Sequence, residues 1–76
     1  MSIQDEALSA KVREALARDK RTAGQAIAVR VAQGEVFLKG MADSEDQREL
    51  AVVVARGIPG VRHVNADELR LRGLSE

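Results

Sequence analysis

The chain has 76 residues, twelve basic side chains matched by twelve acidic ones, and no cysteine. That length supports one small domain, which buries only about 60% of the surface its unfolded chain exposes. The missing cysteines exclude disulfides and thiolate sites. The neutral total argues against a dedicated nucleic-acid binder, which draws most of its affinity from phosphate neutralisation.

Hydrophobic residues at 45% and charged residues at 32% place the chain among globular rather than disordered sequences. No apolar run approaches membrane-spanning length. The first residues, Met1-Ser2-Ile3-Gln4-Asp5-Glu6, are polar and acidic, unlike a signal peptide. Two settings fit: a cytoplasmic chain, or a mature or excised piece of an envelope or periplasmic protein.

Ser2 followed by Asp5 reads as a capping box that opens a helix. Leu8, Val12, Ala15 and Leu16 then form one helical stripe, while Lys11, Arg13, Glu14 and Arg18 point elsewhere. The helix is expected to fade over residues 18–21 and to end before Gly24. Next come two short alternating runs, with Ile27, Val29 and Val31 on one face and Val36 and Leu38 on one face. Gln33-Gly34 between them marks a hairpin turn, and Gly40 is expected to close the second strand.

Ser44-Glu45-Asp46-Gln47 is the stronger capping box. The serine hydroxyl accepts a first-turn amide, and Gln47 is expected to reach back to the cap amide. Leu50, Val53 and Val54, flanked by Ala51 and Ala55, are expected to form the buried stripe of this second helix. Arg56-Gly57 ends it, and Ile58-Pro59-Gly60 turns the chain. A third strand is best supported from about residue 67 to residue 72, beside either hairpin strand, and residues 73–76 are expected to fray. The reading is a single α+β domain over residues 1–76, core about 5–72, in the order α-β-β-α-β. Two helices pack on one face of a three-stranded sheet.

The run Gly34-Glu35-Val36-Phe37-Leu38-Lys39-Gly40, the alanine-rich second helix and Gly60-Val61-Arg62-His63-Val64 together resemble the BON domain, a bacterial module named for osmotic-shock and nodulation proteins. Val12, Ala15, Leu16, Asp19 and Ile27-Ala28-Val29 extend the likeness, which covers about residues 5–71. One departure stands out. The family usually places an asparagine soon after the second valine and an apolar strand residue two positions beyond it. Here Asn65 follows Val64 directly and Leu69 lies four positions further, leaving room for a bulge or longer loop at residues 66–68. The resemblance implies a non-catalytic binding module, envelope-associated or tied to osmotic stress, with anionic phospholipid as the leading ligand. It also implies a second reading, a small-ligand or potassium-ion sensor. It carries over no site residues, because no single residue set defines the family.

Catalysis has little to stand on. His63 is the only histidine and has no cysteine or second histidine to share a metal. Ser44 sits in a cap, and Gly34 and Gly40 flank a strand rather than opening a phosphate-cradling helix. No catalytic residue, metal ligand or cofactor is assigned.

The functional lead is a surface. If the odd-numbered apolar residues of the hairpin's first strand face the helices, the opposite sheet face carries Arg30, Phe37, Lys39, Arg70 and Arg72, with Ala28, Glu35 and Glu68. This sets cations around the only aromatic residue in the chain. One reading is a solvated face of weak surface ion pairs. The others are a partner protein or homo-oligomer anchored on Phe37, an anionic phospholipid surface, and single-stranded nucleic acid. The last is disfavoured because it needs several stacking aromatics.

Overall fold

The computed structural model describes residues 3–24 and 26–72. The elements are α1 (Ile3–Arg18), β1 (Ala26–Ala32), β2 (Glu35–Ala42), α2 (Glu45–Arg56) and β3 (His63–Leu71). The sheet order is β1-β2-β3; β1 runs antiparallel to β2 and β3 parallel to it. The third strand thus takes the β2 side, reached by the α2 crossover that a parallel connection requires. The expected α+β architecture is the observed one.

The helix-side face of the sheet meets α1 and α2 in one core. Val12, Val31, Val36, Leu38 and Leu69 are fully buried there, each contributing about 1.5–3 kcal/mol from removal of apolar surface. α1 buries Leu8, Val12 and Leu16, as its stripe predicts. Past its end, the Thr22 hydroxyl donates to the Leu16 carbonyl at 2.6 Å, which satisfies an orphan carbonyl of the last turn. Ser2 lies outside the described residues, and so do residues 73–76.

The hairpin turn carries positive φ at both central residues, 54° at Gln33 and 83° at Gly34. This is the sign pattern of a type I′ turn, whose twist matches that of the strands. The Asp5 carboxylate accepts the Gln33 amide at 3.1 Å, tying the start of α1 to the turn.

Four sequence expectations need correction. β2 does not close at Gly40 but continues to Ala42, which is fully buried. Gly40 keeps the strand going at φ +137°, where its missing Cβ lets the Ala26 carbonyl approach. The buried line of α2 is Ala51 and Ala55, with Val52 and Val54 beside them, while Val53 is exposed. Two alanines one turn apart bring the helix axis close to the sheet and rotate Val53 to the far side. Ser44 caps α2 by accepting the Gln47 amide at 3.2 Å, but Gln47 does not return the bond, and its Oε1 is buried without a partner. Finally, β3 begins at His63 rather than near residue 67.

The last difference has a specific cause. Phe37 pairs with Asn65, and Lys39 pairs with Glu68, so two steps on β2 match three on β3. One extra residue forms a β-bulge. Val64 and Ala66 reach the core before it, and Leu69 and Leu71 after it, although their numbers have opposite parity. Arg48 of α2 holds this irregular stretch. Its Nε donates to the Leu69 carbonyl at 2.7 Å and its Nη2 to the Ala66 carbonyl at 3.0 Å, bridging the bulge.

Candidate functional site

Helices cover one face of the sheet and leave the other open. Strand register arranges the open face in rows. Ala32, Glu35 and His63 form one row, Arg30, Phe37 and Asn65 the next, and Ala28, Lys39 and Glu68 the third. The fourth holds Ala26, Met41 and Arg70. Ala28 and Ala32 on β1 are short, so the middle rows sink into a trough of about 630 Å³. Arg30 and Lys39 stand at its β1–β2 side, Asp67 and Glu68 at its β3 side, and half-buried Phe37 at its floor.

The charges differ in how they are engaged. Lys39 reaches Glu68 at 3.9 Å, and His63 reaches Glu35 at the same distance, both loose and exposed. Contacts of this kind contribute little, about 0–1 kcal/mol. Arg72 is better held, with Nε 2.9 Å from the Asp43 carboxylate. Arg30 and Arg70 have no carboxylate within ion-pair distance among the described residues.

Of the five residues assigned to this face from sequence, Arg30, Phe37 and Lys39 share the trough. Arg70 does not line it. Its row partner Met41 sits four residues from Phe37 along β2, a separation of about 13 Å. Arg72 lies past the end of β3, where its amide donates to the Ala42 carbonyl at 2.7 Å. The cations therefore run along the face rather than ringing Phe37. Asn65 and Asp67 line the trough without having been singled out in the sequence. The break in parity between Val64 and Leu69 was the available signal, since it places Asn65 inside a strand and Asp67 at a bulge.

Elsewhere, charge chemistry is structural. Arg21 donates to the Asp19 carboxylate from Nε at 3.0 Å and Nη2 at 2.8 Å, and its backbone amide donates at 2.9 Å. The guanidinium bonds first, and the amide second, hold the Asp19 carboxyl at about 2, below its ordinary 3.8. This locks the turn that leads into β1. Among the described residues, no cluster of three or more histidine, aspartate or glutamate side chains is placed to hold a metal ion. None of the described helices is long and apolar enough to cross a membrane.

An open sheet face, a G-x-V-x-L-x-G strand and an α-β-β-α-β order can be set against known families. The BON domain model matches residues 4–73. The chain belongs to the BON domain family. It is also similar to the osmotically-inducible protein Y of Escherichia coli (strain K12), with 38% identity over 74 residues. That alignment covers 97% of this chain and 36% of the relative, so the BON domain described here spans about a third of that protein's length. The glycines of the family motif act on the backbone, at the type I′ turn and inside β2. The trough lies on the reverse side of the same hairpin.

Proposed function

We propose that this BON domain is a non-catalytic docking module that attaches to anionic phospholipid through the open sheet face, in an envelope or osmotic-stress setting. The observation that carries the reading is electrostatic. Arg30 and Arg70 stand on the uncovered face without carboxylate partners among the described residues, and Arg30 borders half-buried Phe37. A cation that gives up no internal ion pair meets a phosphate at little cost. Each such residue near an anionic surface adds about 1 kcal/mol. The osmotic setting rests on the name of the Escherichia coli relative.

The test is co-sedimentation with vesicles of phosphatidylglycerol and of phosphatidylcholine at low ionic strength. Retention is expected on the anionic vesicles alone, and it should fade as salt rises. Arg30→Ala and Arg70→Ala should each weaken it about fivefold, and together about thirtyfold. Equal retention on both lipids overturns the electrostatic reading, and retention on neither overturns the lipid reading. Equal retention would make Phe37 the anchor in place of the arginines.

A further inference from the structure

The sheet has two outer edges, and among the described residues only one is closed to further pairing. Along β3, Arg48 occupies the Ala66 and Leu69 carbonyls, and Asn65 Oδ1 takes the Asp67 amide at 2.9 Å. The bulge and the charges of Asp67, Glu68 and Arg70 further interrupt that edge. Bulges and charged side chains are the usual means of preventing edge-to-edge association.

β1 is far less protected. It runs Ala26–Ala32 with no shift in register, no proline, no glycine and a single charge, Arg30. Ala32 and Glu35 close a two-residue hairpin and exchange backbone bonds, so bonding to β2 alternates along the strand. That alternation turns the amide and carbonyl groups of Ile27, Val29 and Val31 outward. Among the described residues, none of the three has a backbone bond to another element at that edge. Ile27 and Val29 are only half-buried, and with Leu16 and Ala17 of α1 they line a shallow groove of about 170 Å³ beside the edge.

We propose that β1 pairs antiparallel with β1 of a second copy, with Val29 on the two-fold axis. The strand's own sequence selects this partner and this register. Val29 is the central residue of the seven, so the two strands overlap over their full length. The outward groups then form about six backbone hydrogen bonds. Ile27 comes opposite Val31 of the second copy, extending the apolar layer on the helix side. On the open face, Ala28 comes opposite Arg30 of the second copy, so the strand's one charge lands against a methyl group. A register centred on Arg30 would instead set two guanidinium groups opposite each other, which is unfavourable. The product is a six-stranded sheet with two troughs side by side on one face.

Sedimentation equilibrium of the 76-residue chain tests this across micromolar to millimolar concentrations. The mass should rise from 8.2 kDa toward twice that value. Ala28 is exposed, so its substitution spares the fold, as thermal melts would verify. Ala28→Arg places an arginine opposite Arg30 of the second copy at two symmetric positions and should raise the dimer Kd by about 2- to 30-fold. Ala28→Glu should lower it by a similar factor. Phe37→Ser should leave it unchanged, which separates this edge from association through the trough and from the lipid reading. A monomer up to about 1 mM, a dimer that both Ala28 variants shift in the same direction, or a dimer lost with Phe37→Ser overturns the proposal.

Discussion

β1 alternates without interruption, pairs with β2 in constant register and, among the described residues, leaves its outer backbone groups open. β3 carries an extra residue, changes parity midway and has two carbonyls occupied by an arginine from α2. Both strands bury apolar side chains in the same core, so the contrast does not come from hydrophobic demand. It lies in the third dimension of each strand, the backbone direction. A regular edge keeps a ladder ready for another strand, whereas a bulged and capped edge gives up regularity and becomes inert. In this domain the readable strand is also the available one.

The largest expected effect comes at the residue that serves both edges. Gly40 of β2 pairs with Ile27 of β1 and with Leu69 of β3. At φ +137° its Cβ would meet the Ala26 carbonyl oxygen. Gly40→Ala therefore combines an unfavourable backbone region with a backbone collision that no side-chain movement relieves. A loss of about 3 kcal/mol or more in urea unfolding is expected, a large share of the stability of a domain this small. Because the collision is with β1, amide exchange in native buffer should rise first at β1 and later at β3. Equal acceleration at both edges would break the asymmetry claimed for them.

Arg48 gives the next effect, and it should fall on the other edge. Removing the guanidinium deprives the Ala66 and Leu69 carbonyls of charge-assisted partners in a half-buried position. Arg48→Ala is expected to cost about 1.5–3 kcal/mol. Arg48→Lys should recover little of it, since an ammonium cannot present two donors in a fixed fork. Faster exchange confined to residues 66–71 would sharpen the contrast. Unchanged stability would show that the bulge holds itself.

The same contrast explains what is legible in the sequence. α1, the hairpin and the start of α2 follow from strong periodic or capping signals at Leu8, Val12 and Leu16, at Gln33-Gly34 and at Ser44. The buried line of α2 was obscured because Ala51 and Ala55 are less hydrophobic than Val53, yet smallness rather than hydrophobicity sets how close a helix approaches a sheet. The start of β3 was hidden because Val64 and Leu69 disagree in parity, and alternation alone cannot express a bulge. For the open face, strand parity placed Arg30, Phe37 and Lys39 together. It could not separate Arg70 and Arg72 from them, since their distance from Phe37 depends on inter-strand register. Arg48 left no mark in the sequence, because its partners are backbone carbonyls 18 and 21 residues away.

The smallest effect is also the most direct probe of the bulge. Deleting Asp67 would leave Val64, Ala66, Leu69 and Leu71 in regular alternation along β3, because the extra residue lies between the two parities. No core side chain changes face. The shortened strand also brings Leu69 from four positions behind Asn65 to three. Asp67 is exposed, and its amide bonds the nearby Asn65 side chain. The deletion should therefore fold, and the regular β2–β3 ladder it creates should offset what the Arg48 fork loses, so that the unfolding free energy changes by less than about 1 kcal/mol. Its consequence should appear at the edge. With the bulge gone, β3 resembles β1, and the Arg48 fork loses the offset between the carbonyls it bridges. Arg48→Ala in the deleted background should then cost clearly less than in the natural chain, a non-additivity that a double-mutant cycle reads directly. Full additivity would mean that Arg48 stabilises β3 independently of the bulge, and the irregular edge would have lost its proposed clamp.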